Sequence, residues 1–192
     1  MAAPIARLIP LMLLMAVGLI GAVGARSVDA TEDPAKPNFS VGDTPPTSLG
    51  ISRNGEAIDT RQFAGKVLVV TFWASWCAPC RAEIPVLEKI QQFAKDRLQV
   101  VAVNIESRDT FRELHRKLGT MAIKFTNDEL KRAHNAYGVN GIPHMLIIGQ
   151  DGKIVGVHRG YSEKAIPRLA KEIDQALNQQ FLPVHVELPP IQ

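Results

Sequence analysis

Hydrophobic and polar positions divide the chain into four stretches of different character. Residues 8–25 are apolar and uncharged, with Arg7 before them and Arg26 after. They are apolar on every face, unlike an amphipathic core helix. A short positive region followed by such a run predicts export, with the N-terminus held inward. Val23-Gly24-Ala25 and Val28-Asp29-Ala30 both offer small-residue cleavage sites. The run has the length at which signal peptides and membrane anchors overlap, so residues 1–25 are read as one or the other. Residues 26–40 are polar with two prolines and read as a linker. Residues 183–192 contain three prolines and few packing residues, the pattern of an extended tail. The folded part is placed at 41–182.

Within that part the apolar periodicity changes repeatedly. Arg53-Asn54-Gly55 predicts a hairpin turn between two short strands. Residues 67–73 are β-branched, aromatic and apolar on both faces, as in a central strand covered on both sides. From 78 to 97 the spacing is helical, with Ile84, Leu87, Ile90, Phe93 and Ala94 read as one buried stripe. A second buried strand follows at 100–105, then a helix at 109–118 with Asp109 as its cap. Another helix is expected at 129–137, ended by Gly138. Residues 144–148 and 154–157 flank Gln150-Asp151-Gly152 as a second hairpin. A final helix, capped by Ser162 and with Pro167 near its first turn, should run to about residue 180. This order implies an α/β fold, a mixed sheet flanked by helices.

Composition narrows the class without deciding the function. The chain has 192 residues, 46% hydrophobic and 21% charged, enough for one globular core with extensions. Its 22 basic and 19 acidic side chains leave a net charge of +3. Removing the leader with Arg7 lowers that to +2, and the basic residues are scattered. No footprint of a nucleic-acid partner is present.

Cysteine usage changes the picture. The only two cysteines are Cys77 and Cys80, two residues apart where a buried strand hands over to a long helix. At a helix N-terminus, unpaired N–H groups and the macrodipole favour a thiolate at Cys77. Pro79 fits a first turn because its missing N–H would be unpaired there. Cys80, one turn on and more enclosed, suits a resolving sulfur. A structural bridge is the first alternative, but so short a loop gains only about 2 kcal/mol, against about 4.7 for a 100-residue loop. Half of a tetrahedral metal site is the second, yet no second cysteine pair exists and the five histidines form no ligand motif. Redox chemistry is the preferred reading.

Residues 69–85, VVTFWASWCAPCRAEIP, resemble the thioredoxin superfamily, and more narrowly its exported TlpA/ResA/CcmG-like thiol–disulfide oxidoreductases. Gly65-Lys66, the strand at 100–104 and Gly141-Ile142-Pro143 before a strand extend the resemblance over roughly residues 40–180. It implies a thioredoxin fold, a central mixed β-sheet flanked by helices with an N-terminal β-hairpin extension. It further implies that Cys77 attacks and Cys80 resolves, and that a cis Ile142–Pro143 bond packs on the cysteines and offers backbone to a substrate strand. Glu83, three residues past Cys80, would handle the proton of Cys80. Thioredoxins proper carry an aspartate on the preceding strand, and Thr71 stands in that position. Trp76 would line the substrate surface, Trp73 would be core, and Pro85 would kink the helix.

The implied activity is a periplasmic or otherwise extracytoplasmic protein-disulfide reductase. Its substrates would be disulfide-containing proteins of cytochrome c maturation or copper-centre assembly, and a membrane thiol donor would recharge it. No organic cofactor and no metal is expected beyond the Cys77–Cys80 disulfide. The alternatives are a disulfide-donating oxidase, a copper-delivery protein using Cys77, Cys80 and His144, and a non-enzymatic binding module. The copper-delivery relatives space their cysteines by three residues rather than two.

Overall fold

The computed structural model describes residues 38–179. The expected leader, most of the linker and the proline-rich tail lie outside the described residues. The central strand β3 (Val67–Trp73) is buried along its whole length. It pairs in parallel with β4 (Leu98–Asn104) and antiparallel with β6 (His144–Ile148). Beyond β4 lies β5 (Lys124–Asn127), again parallel, and β7 (Ile154–Arg159) closes the other edge against β6. The N-terminal hairpin, β1 (Ser48–Ile51) and β2 (Ala57–Asp59), adds antiparallel to β5. The seven-stranded order is β2-β1-β5-β4-β3-β6-β7. This is a thioredoxin fold with a mixed sheet and an N-terminal hairpin extension.

Alternating side chains of β3 feed two cores. Val67, Val69 and Trp73 pack under α1 (Ala78–Ala94), α2 (Arg108–Leu118) and α4 (Ile166–Asn178), reaching Ile84, Leu87, Phe111 and Ile173. Leu68, Val70 and Phe72 face the other way, toward Tyr137 beside α3 (Arg132–Ala136) and toward Leu49, Ile58 and Phe63. Burying both faces is what a continuous β-branched run requires.

Two glycines shape the added hairpin. Gly55 has φ +90° and its N–H bonds to Ser52 O at 3.1 Å, while Asn54 keeps a negative φ. The expected Asn-Gly turn is therefore a longer loop in which glycine alone takes the left-handed position. Gly50, at φ +82°, brings β1 against Asn127, where a Cβ would stand 2.6 Å from the carbonyl oxygen.

Several expectations shift. Phe93 is not in the buried stripe of α1; it is 88% exposed, and the stripe continues through Glu88 and Gln91. The cap of α2 is Ser107, whose side chain accepts from Thr110 N–H, and not Asp109. The helix expected at 129–137 forms only over Arg132–Ala136. Ser162 makes no side-chain cap bond, and a short 3₁₀ turn precedes α4. Strand β5 was not anticipated: four residues, starting with an exposed lysine, carry too little periodicity to be seen.

Candidate active site

Strand β3 ends at Trp73, and after three intervening residues the chain enters α1 through Cys77, which is its N-cap. Cys77 and Cys80 form a disulfide with Cα atoms 5.3 Å apart. The backbone N–H of Cys80 points at Cys77 Sγ, 3.2 Å away. In the reduced protein that donor and the positive end of α1 would both stabilise a Cys77 thiolate. The side chain of Cys80 is wholly buried, and Cys77 lies nearer the surface. Across the site, the Ile142–Pro143 bond is cis and Ile142 O is 3.8 Å from Cys77 Sγ. Gly160 N–H donates to Pro143 O at 2.8 Å, tying this loop to the end of β7. Trp76, 68% exposed, stands beside Cys77, while Trp73 is buried and meets Phe125 edge-on at 5.9 Å.

Glu83 is 2% exposed and lies on the same face of α1 as Cys80. Thr71 Oγ1 donates to its Oε2 at 2.7 Å, so the threonine that replaces an aspartate becomes a partner for the carboxylate. Burial pushes Glu83 up from 4.5 to about 7, and the Thr71 hydrogen bond opposes that rise. The result is an acid poised near neutral pH on the same buried face of α1 as Cys80.

Sequence reasoning missed Glu106. Its carboxylate accepts Ser75 N–H at 2.6 Å, Ser75 Oγ–H at 2.8 Å and Asn104 Nδ2–H at 2.9 Å. Arg81 Nη1 donates to Ser75 O at 3.1 Å from the other side. Together these hold the turn that presents Trp76 and Cys77. The only sequence signal was a carboxylate just past the end of a buried strand, and nothing in its spacing points to Ser75.

His144 stands apart from the cysteines. It pairs in register with Phe72, while the adjacent Met145 pairs with Thr71 on the cysteine side. Residues opposite one another share a face, so His144 belongs to the sheet face away from Cys77 and Cys80. Burial, with the charges of Arg159 and His134, lowers it from 6.5 to about 4. Among the described residues no cluster of three or more His, Cys, Asp or Glu side chains is placed to hold a metal ion.

A Cys-x-x-Cys disulfide at a helix N-terminus, facing a cis-proline on a mixed sheet, defines a thioredoxin-fold thiol–disulfide oxidoreductase of the TlpA/ResA/CcmG-like kind. The chain belongs to the Redoxin family, which it matches over residues 30–177. It is 31% identical to the thioredoxin-like protein YneN of Bacillus subtilis, over 88% of this chain and 94% of that protein. It is 30% identical to the thiol-disulfide oxidoreductase ResA of the same organism, over 78% of this chain and 80% of ResA. Among solved structures, a thiol:disulfide interchange protein of the thioredoxin family from Chlorobium tepidum superposes with a TM-score of 0.57 at 29% identity. That match covers 73% of this chain and 99% of the other.

Proposed function

We propose that the protein is an exported reductase that breaks disulfides in partner proteins, using Cys77 and Cys80 and no organic cofactor. The placement of Cys77 carries the reading: its sulfur sits at the N-cap of α1, facing the Ile142–Pro143 backbone and flanked by exposed Trp76. Thiolate Cys77 attacks a partner disulfide; one partner sulfur leaves as a thiolate and a mixed disulfide forms. Glu83 carboxylate removes the proton of Cys80, whose thiolate attacks Cys77 Sγ. The Cys77–Cys80 bond closes, and the second partner sulfur leaves and takes a proton from solvent. Two electrons pass to the partner, and a membrane thiol donor restores the dithiol. Trp76, Ile142 and Pro143 would form the surface that receives the partner strand.

Export is supported by the leader at residues 1–25 and by the persistence of disulfides outside the cytosol. Among residues 38–179 no helix is long and apolar enough to cross a membrane, so attachment to one would rest on that leader. Cytochrome c maturation or copper-centre assembly is the proposed process, on the family resemblance of residues 69–85.

Cys80→Ser should accumulate covalent complexes with partner proteins, and Cys77→Ser should accumulate none. Equal trapping by both would overturn the division of roles. A reduction potential of about −270 mV supports the reductive direction, and one of about −120 mV would reverse it.

A further inference from the structure

Glu83 lies beneath the cysteines, and during the exchange a partner protein covers their mouth. A proton taken from Cys80 therefore needs another way out. In β3, β6 and β7 the residues Thr71, Met145 and His158 stand opposite one another in register and share the face under α1 and α4. Glu83 sits over Thr71 at one end of this row. At the other end His158 Nε2 is 2.7 Å from Glu172 Oε2 on α4. A narrow cavity of about 20 Å³ joins the two, lined by Glu83, Met145, His158, Tyr161, Ala165 and Leu169 among others. That is room for one water, and Glu83 and His158 are polar partners able to hold it.

We propose that the proton Glu83 receives from Cys80 leaves through this cavity, by way of one water and the His158–Glu172 pair, to solvent beside α4. The inference rests on the reading of Glu83 as the base for Cys80. The titratable and charged groups around the route are Cys80 on α1 itself, His158 on β7, Tyr161 and Glu163 on the connecting segment, and Glu172 with Arg168 on α4. Thr71 on β3 contributes a neutral hydroxyl. When His158 donates Nε2–H to Glu172, its Nδ1 is the acceptor for the incoming proton. Each turnover then moves one proton from Cys80 Sγ to Glu83, to the water, to His158 and out, and returns Glu83 to its carboxylate form.

The test is a single-turnover reaction of the reduced full chain with a cystine-containing peptide, following release of the second peptide thiol between pH 6 and 9. His158→Gln should slow that release on the order of tenfold at pH 7. Imidazole in solution should restore it, and the reduction potential should not move. Ala165→Leu, which fills the cavity, should slow release similarly without rescue by imidazole. Wild-type rates in both variants while Glu83→Gln is slow would overturn the route and leave the Glu83 reading standing. A His158→Gln loss that imidazole does not rescue, or that comes with a shifted potential, would make His158 a static neighbour and also overturn the route. A wild-type rate in Glu83→Gln would instead remove the reading beneath it.

Discussion

Beside the cis-proline, Glu83 is buried on one face of the sheet and His144 on the other, and burial moves their proton affinities in opposite directions. On the cysteine face, Glu83 is raised to about 7 because its carboxylate is taken out of water. On the other face, His144 is lowered to about 4 because its imidazolium is. Both shifts favour the neutral form. Only the acid, starting low, arrives at the pH where proton exchange with a thiol is useful. The histidine starts near neutrality and is driven away from it, so it stays uncharged wherever the enzyme is expected to work. Similar desolvation thus leaves a group able to exchange a proton near neutral pH on one face and a group held uncharged there on the other.

The largest test of this contrast is stability against pH. Glu83 is raised on folding, so its contribution is fully present below 4.5, the value expected unfolded, and is lost as pH rises through about 7. The difference across that window is about 3 kcal/mol. Glu83→Gln should therefore stabilise the oxidised protein by about that amount at pH 8 and by little at pH 4, read from urea unfolding. No change in the pH slope would show that Glu83 is not held neutral by its surroundings. His144 should act with the opposite sign. Its value falls on folding, so its stabilising share is present above 6.5 and is lost as pH drops through about 4. Allowing for solvent screening near the end of the sheet, about 2 kcal/mol should separate wild type from His144→Asn in the steepness of acid unfolding.

Activity should divide the faces next. Proton abstraction needs the Glu83 carboxylate, so the resolving step should quicken as pH rises through about 7. In Glu83→Gln that rise should vanish and the rate at pH 8 fall by at least about tenfold. His144→Asn should keep the rise and lie within about twofold of wild type. A lost pH profile in His144→Asn would place the histidine in the proton chemistry and erase the contrast between the faces.

Legibility from sequence followed the same division. The buried strand 67–73, the second strand (expected at 100–105, formed at 98–104), the long helix and the cysteine pair all show in runs of apolar side chains or in a motif. The polar groups that complete the site do not. Thr71 first stood out as a departure from the aspartate of thioredoxins, and its bond to Glu83 is a contact across 12 positions that no periodicity reports. Glu106 reaches Ser75 across 31 positions, and His158 reaches Glu172 through the packing of α4 on β7. Such pairs depend on how elements dock, and local patterns record only which side of an element is buried.

Even that record misleads when apolar character is taken for burial. Along α1 the true inner stripe is Cys80, Glu83, Ile84, Leu87, Glu88, Gln91 and Ala94. Two of its polar members pay their way by hydrogen bonding: Glu88 accepts Ala122 and Ile123 N–H at 2.9 and 3.1 Å, and Gln91 accepts Val100 N–H at 2.7 Å. Phe93 is nine positions beyond Ile84, and at about 100° per residue it points to the opposite side. It therefore supplies the control for the two faces. Phe93→Ser should change stability by less than about 0.5 kcal/mol and leave the pH profile of the resolving step unaltered. Leu87→Ala, on the inner stripe, should cost about 2–5 kcal/mol. A loss comparable to Leu87→Ala in Phe93→Ser would mean that the outer side of α1 is covered in solution, and the effects assigned to Glu83 would then have to be separated from that contact.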